Sequence, residues 1–234
     1  NVPDYGTEDV ADHTFALILA NERNIINFNQ AVKKKLPWDW SLGKDLSRIR
    51  EKIFGIIGLG RIGTAVALRA KAFGYNVNFF DPYISNGIEK SLNLSRSHSL
   101  DELSSKADII SIHTPLNNET KGMINKDFFK GAKKGISIYN TARGEIINLD
   151  HLFDSIKEGI VYKAGLDVLD NEPINYENNS IKAWINDDDW ISGKLIITPH
   201  AAFYNKESYS EMRKKAAEEL KRILENKNPR YNLF

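Results

Sequence analysis

Apolar residues recur at helical spacing from about Val10 to Ile26, which predicts a long opening helix. Thr7 is its expected N-cap, and Glu8 and Asp9 fall in the first turn, where the helix dipole favours anions. After a polar stretch ending at Glu51 and Lys52, the pattern changes to the nearly continuous apolar run Ile53-Phe54-Gly55-Ile56-Ile57, the mark of a strand buried on both faces of a parallel sheet. Helices and strands then alternate. Helical spacing over Arg61 to Phe73 ends at Gly74, a residue able to close a helix in the left-handed conformation, and Asn76 to Phe80 is the next strand. Ser99-Leu100-Asp101-Glu102 reads as a capping box that opens a helix ahead of the strand Asp108 to Ile112. Ile136 to Tyr139, Lys163 to Leu166 and Leu195 to Ile197 are three further apolar runs, the first two separated by a helix near Leu149 to Lys157. This alternation specifies an α/β fold with a doubly wound parallel sheet. The last helix, about Lys206 to Asn226, is charged on one side and leaves the sheet region. The stretch Ile174 to Lys194, with Trp184 and Trp190, is long for a connection, which leaves two roles open for it: packing on a dimer or covering a cleft.

The chain has 234 residues, 41% hydrophobic and 27% charged, enough to bury a substantial core in one large domain or two small ones. Lys and Arg number 32 against 31 Asp and Glu, too even a balance to supply the cationic excess on which direct nucleic-acid binding depends. With no cysteine there is no disulfide framework and no thiolate metal site, which fits a reducing compartment and makes the cytoplasm the expected location. The longest clean apolar run, Phe15 to Ala20, is far short of the roughly 20 residues that cross a bilayer, so no membrane partner is expected. The start, Asn1-Val2-Pro3, lacks an initiator Met and a secretion signal, and the expectation is a chain that begins inside a longer gene product.

Gly58-Leu59-Gly60-Arg61-Ile62-Gly63 is G-x-G-x-x-G, weak alone but placed directly after the buried strand and at the start of a helix. The first glycine allows a tight turn, the second lets backbone amides approach a pyrophosphate, and the third lets helix and strand pack closely. Asp81 stands at the end of the next strand, where a carboxylate accepts from ribose hydroxyls and repels a 2′-phosphate, so NAD is the expected cofactor. Asp81 can equally start a turn with Pro82, and the two roles are compatible.

Three polar residues follow the C-terminal ends of later strands, where open α/β sheets place ligands: Arg143, Glu172 and His200. An imidazole exchanges protons with a hydroxyl or carbonyl, a carboxylate on its other nitrogen fixes the tautomer, and an arginine fork binds a carboxylate. Beside a nicotinamide, this set spells hydride transfer at a carbon next to a carboxylate. Each residue also has a plain reading: His200 as a loop histidine on backbone, Glu172 as a solvated carboxylate, Arg143 as a turn cation. Asp167 ends a wholly apolar strand and needs a hydrogen-bond donor, a role open to a nicotinamide carboxamide. His113, with Thr114, Pro115 and Leu116, is expected to line the cofactor groove without acid–base work. No metal-ligand spacing and no G-x-S-x-G is present.

Taken together, the GLGRIG turn, Phe80-Asp81-Pro82-Tyr83, His113-Thr114-Pro115, Asn140-Thr141-Ala142-Arg143-Gly144, Gly165-Leu166-Asp167-Val168, Glu172-Pro173 and Thr198-Pro199-His200-Ala201-Ala202 resemble the D-isomer-specific 2-hydroxyacid dehydrogenases. Ala65 to Tyr83 and Glu211-Met212-Arg213 are similar to the C-terminal-binding-protein branch of that family, the NAD-dependent corepressors and their bacterial relatives. The resemblance implies Arg143, Glu172 and His200 as the catalytic set. It also implies a cofactor site of Gly58, Gly60, Arg61, Ile62, Gly63, Asp81, His113, Thr114, Pro115, Thr141, Ala142, Arg143, Asp167 and His200. It implies a 2-oxo or 2-hydroxy acid substrate and a homodimer built by the first helix. Residues 1–8 and 205–234 would be remnants of a smaller substrate domain around a dinucleotide-binding domain at 9–204. An alternative of another class is an NAD-sensing, corepressor-like dimerisation module with residual chemistry. The chain departs from the pattern at Phe203, where the animal corepressors carry tryptophan, and at Glu145, where glycine is usual and access near the cofactor is expected to change.

Overall fold

The computed structural model describes residues 2–43 and 46–231. Its centre is a seven-stranded sheet made of β1 (Ile53–Ile57), β2 (Asn76–Phe80), β3 (Ser95–Arg96), β4 (Ile109–Ile112), β5 (Ile136–Asn140), β6 (Val161–Leu166) and β7 (Leu195–Ile197). Every neighbouring pair is parallel and the strand order is β3-β2-β1-β4-β5-β6-β7, so the chain reverses its direction of travel between β1 and β4. A crevice opens at such a switch point, beyond the C-terminal strand ends.

Helices cover both faces. On one lie α1 (Thr7–Glu22), α3 (Arg61–Ala72) and α4 (Ile88–Leu92), where Phe15, Ile18, Val66 and Ala70 pack on Phe54, Ile56, Phe79 and Tyr139. On the other lie α5 (Leu100–Lys106), α6 (Lys126–Gly131), α7 (Leu149–Lys157) and α8 (Asn179–Ile185), whose Leu103, Phe128, Leu152 and Ile181 meet Ile57, Ile110, Ile112 and Leu166. Alternate residues of one strand therefore serve different cores, Ile109 on the first face and Ile110 on the second. The last helix, α9 (Lys206–Leu224), is held by an Asn205–Ser208 capping box and buries only Ser208, in keeping with its expected departure from the sheet.

Four expectations are corrected. The opening apolar stretch is two helices: α1 ends at Glu22, Asn24 turns left-handed at φ 54°, and α2 (Ile25–Lys33) follows. Asn tolerates that conformation, and its side chain is tied to Asn27 at 2.6 Å and to the Leu42 carbonyl at 3.3 Å. Gly6, not Thr7, caps α1, through the bond from the Val10 amide to its carbonyl at 3.0 Å. At α5, Ser99 accepts from the Glu102 amide as expected, but the Glu102 carboxylate receives the amide of His98 instead of that of Ser99. The stretch 174–194 packs against the β7 edge of the core, not over the cleft: Ile181 and Ile191 are buried, the Trp184 indole donates to the Leu195 carbonyl at 3.1 Å, and Trp190 meets Phe153 edge-on.

Candidate active site

The turn from β1 into α3 is shaped by its glycines. Gly58 has φ +89°, and a Cβ there would strike the His113 carbonyl and the Thr114 methyl; at Gly63 it would overlap the Gly58 carbonyl oxygen. Gly60 caps α3 without any side-chain cap, and a Cβ added there meets nothing within 4 Å among the described residues, so the helix N-terminus is open. Uncapped amides and the helix dipole at this place suit a phosphate group. Asp81 braces the turn: its carboxylate accepts from the Leu59 amide at 2.8 Å and the Tyr83 amide at 2.9 Å, so the turn role foreseen for it is real. Arg61, at the first helical position, pairs with Asp4 at 2.7 Å.

A cleft of about 540 Å³ lies at the switch point, lined among others by Ile62, Thr114, Thr141, Arg143, Asp167 and His200, along with Asp4 to Thr7. The strand ends thus gather residues that are far apart in sequence. Among the described residues Thr114 Oγ1, buried in that lining, has no hydrogen-bond partner, a polar atom placed to meet a polar ligand. His113 is neutral: burial pushes its imidazole down to about 3, and its Nε2 lies 2.7 Å from Ser111 Oγ.

His200 Nδ1 lies 2.7 Å from Glu172 Oε2, and the other Glu172 oxygen accepts from the Leu169 amide at 2.9 Å. A carboxylate only accepts, so Nδ1 carries the proton and Nε2 is left to act on a ligand. The His200 side chain is 43% exposed, open to the cleft. Its backbone is left-handed at φ 52°, and its amide is shared between the carbonyls of Asp167 at 2.8 Å and Thr198 at 3.0 Å. Asp167, 1% exposed, receives Thr198 Oγ1 at 2.5 Å and the amides of Ala201 and Ala202 at 2.9 Å each. The donors that a bound carboxamide was expected to bring are supplied within the chain, and they tie the His200 loop to the end of β6.

Arg143 is exposed, with Nη1 on the Ala142 carbonyl at 2.6 Å. Asn140 folds this loop, accepting from the Ala142 amide at 2.9 Å and donating to the Arg143 carbonyl at 2.8 Å. The next residue, Gly144, touches the backbone of Leu169 and Asp170 so closely that a Cβ would overlap it, which brings the Arg143 loop against the loop leading to Glu172. Glu145 is not among the residues that line the cleft; its charge acts on Asp170, whose carboxyl is raised above its ordinary value by burial, then by Asp150 and by Glu145. Sequence reasoning missed Thr14, Asn140 and His13. Thr14 is fully buried on the apolar face of α1 and meets Thr141 Oγ1 at 2.8 Å, and a polar residue on an apolar face was the signal available.

A parallel doubly wound sheet, a glycine turn against an uncapped helix and an imidazole paired with a carboxylate at the switch point define a dinucleotide-binding domain. Residues 15–202 match the family model described as "D-isomer specific 2-hydroxyacid dehydrogenase, NAD binding domain", and the chain belongs to that family. It is 34% identical over 230 residues to C-terminal-binding protein 1 of Caenorhabditis elegans, covering 95% of this chain and 30% of that one. It is 36% identical over 221 residues to D-3-phosphoglycerate dehydrogenase of Bacillus subtilis, covering 94% and 39% respectively. The fold superposes with a TM-score of 0.85 and 30% identity on D-lactate dehydrogenase from Aquifex aeolicus in complex with NAD and lactic acid, covering 96% of this chain and 68% of that one. The chain thus spans between 30% and 39% of the two sequence relatives.

Proposed function

We propose that this chain forms the coenzyme-binding and acid–base part of an NAD-dependent oxidoreductase that interconverts a 2-oxo acid and a D-2-hydroxy acid. The observation that carries the reading is the His200–Glu172 pair at 2.7 Å, on the same cleft as Arg143. The coenzyme supplies or accepts the hydride. The turn Gly58, Gly60, Arg61, Ile62 and Gly63 would hold its phosphates and Asp81 its ribose, while His113, Thr114, Pro115, Thr141, Ala142 and Asp167 would line the groove. His200 moves the proton at Nε2 between itself and the substrate oxygen, and Glu172 keeps Nδ1 protonated and stabilises the imidazolium that forms. Arg143 releases the Ala142 carbonyl to grip the substrate carboxylate and polarise the neighbouring carbonyl. A pure coenzyme sensor has no use for that paired imidazole.

Residues 1–8 and 205–234 would belong to a second, smaller lobe around the dinucleotide-binding part at 9–204. Contact between them supports this: Lys215 of α9 donates to the Pro3 carbonyl at 3.2 Å. A homodimer through the coenzyme domain fits the arm after α1, where Trp38 is 92% and Trp40 85% exposed beside Ile25, Val32 and Leu36. No helix among the described residues is long and apolar enough to cross a membrane. The test is an NADH fluorescence titration together with turnover on a panel of 2-oxo acids. Binding with turnover of at least one acid is the expected result, and tight binding with no turnover by the full-length protein would overturn the assignment.

A further inference from the structure

We propose that His13, on α1, is a positioning residue for His200, acting through Thr198 and Asp167. The inference rests on the assignment of His200 above. His13 is not part of the cleft wall; its side chain is 25% exposed, and its Nε2 lies 2.9 Å from Thr198 Oγ1 and 3.5 Å from Asp167 Oδ1.

Counting protons gives the contact a direction. Asp167 collects three donors, the Thr198 hydroxyl and the amides of Ala201 and Ala202, as an ionised carboxylate does. The single Thr198 proton therefore points to Asp167 at 2.5 Å, and the oxygen facing His13 can only accept. His13 must present Nε2–H, and the chain of donation runs His13 to Thr198 to Asp167. Asp167 in turn holds both sides of His200: its carbonyl takes the His200 amide at 2.8 Å and its carboxylate takes the two amides that follow. A left-handed non-glycine residue costs about 1–2 kcal/mol and persists only where its surroundings impose it. His200 at φ 52° is such a residue, and the frame that imposes it is pinned from α1, 185 residues away, by one imidazole.

Thr14, the next residue on α1, makes a parallel contact to Thr141 at 2.8 Å beside Arg143, so one turn of one helix reaches two of the loops that carry the chemistry. Removing the His13 donor frees the Thr198 hydroxyl to rotate away from Asp167. The His200 loop then loses its register by a fraction of an ångström, while the glycine turn on the far side of β1 is untouched. Misplacement on the scale of 1 Å is worth up to about a hundredfold in rate.

Two measurements on the full-length enzyme test this. The first is the ¹⁵N chemical shift pair of the His13 ring at about pH 8, where an ordinary imidazole is neutral. A protonated Nε2 is expected, and an Nδ1–H tautomer would overturn the proposal. The second compares His13→Leu with His13→Gln, whose amide retains a donor. For His13→Leu, kcat should fall about tenfold or more, with NADH affinity and KM within about twofold, and His13→Gln should recover to within about threefold of wild type. An unchanged kcat in His13→Leu would overturn it, and so would kcat, NADH affinity and melting temperature falling together without rescue by Gln. If the wild-type enzyme turns over no 2-oxo acid, the assignment of His200 fails, whereas the tautomer still decides the role of His13.

Discussion

An imidazole can shuttle a proton only if one nitrogen is committed and the other is free, and the commitment here is the 2.7 Å contact with Glu172. Glu172→Gln keeps an acceptor but removes the charge that stabilises imidazolium, so kcat should fall by about tenfold or more with NADH affinity unchanged, measured by steady-state kinetics beside fluorescence titration. His113 behaves in the opposite way, since burial holds it neutral with a pKa near 3 against an ordinary 6.5. Below 6.5 the unfolded chain binds a proton that the folded chain refuses, so stability is lost as pH falls from 6.5 toward 3. Between about pH 7 and about pH 5 this group should cost the wild type about 2 kcal/mol more than His113→Gln, read from urea midpoints; equal losses would contradict it. At this scale the residues at strand ends were legible in the sequence, because topology alone sends Arg143, Glu172 and His200 to one edge. The donors of Asp167 were not, because the Thr198 hydroxyl and the amides of Ala201 and Ala202 become its neighbours only when β6 and β7 pair.

Elements were read well where one physical signal dominates. The strands β1, β2 and β7 and the helix α7 have the limits that their patterns predict; in β1 and β7 burial leaves no polar residue inside the strand, and in β2 the buried Asn78 donates to Ser97 Oγ at 3.0 Å. The opening helix was misread because helical spacing of apolar residues continues through Asn24, and periodicity carries no mark of a left-handed residue. The bond of Asn24 to Leu42 that stabilises the break is tertiary, and so is that of Lys163, whose Nζ reaches the Asn21 carbonyl at 2.5 Å and Asn24 Oδ1 at 3.3 Å. The same scale holds the sharpest steric prediction. In Gly63→Ala the new methyl would overlap the Gly58 carbonyl oxygen, so β1 and α3 must separate. NADH affinity should fall at least about tenfold and the melting temperature should drop, the destabilisation being about 1–3 kcal/mol as for other overpacked sites. Retained affinity would show that the turn does not set the coenzyme site.

On the scale of the molecule, the fold divides its labour: one apolar core on each sheet face fixes the strands, and the cleft collects the loops at their ends. Among the exposed apolar residues, Trp38 and Trp40 of the arm and Leu220, Ile223 and Leu224 of α9 lie away from the sheet. Composition gave no view of this, since an apolar residue waiting for a partner looks in sequence like one bound for the core. Replacing Trp38 and Trp40 together by Ser should shift sedimentation from dimer to monomer with the isolated fold intact; an unchanged dimer would place the contact elsewhere. The account as a whole turns on one imidazole, and the most direct measurement is the single-turnover rate of NADH oxidation by a 2-oxo acid in wild type and His200→Ala, with NADH binding followed on the same samples. The predicted result is a rate lower by ~10²–10⁴-fold with NADH affinity preserved. A His200→Ala protein that oxidises NADH at the wild-type rate would contradict it.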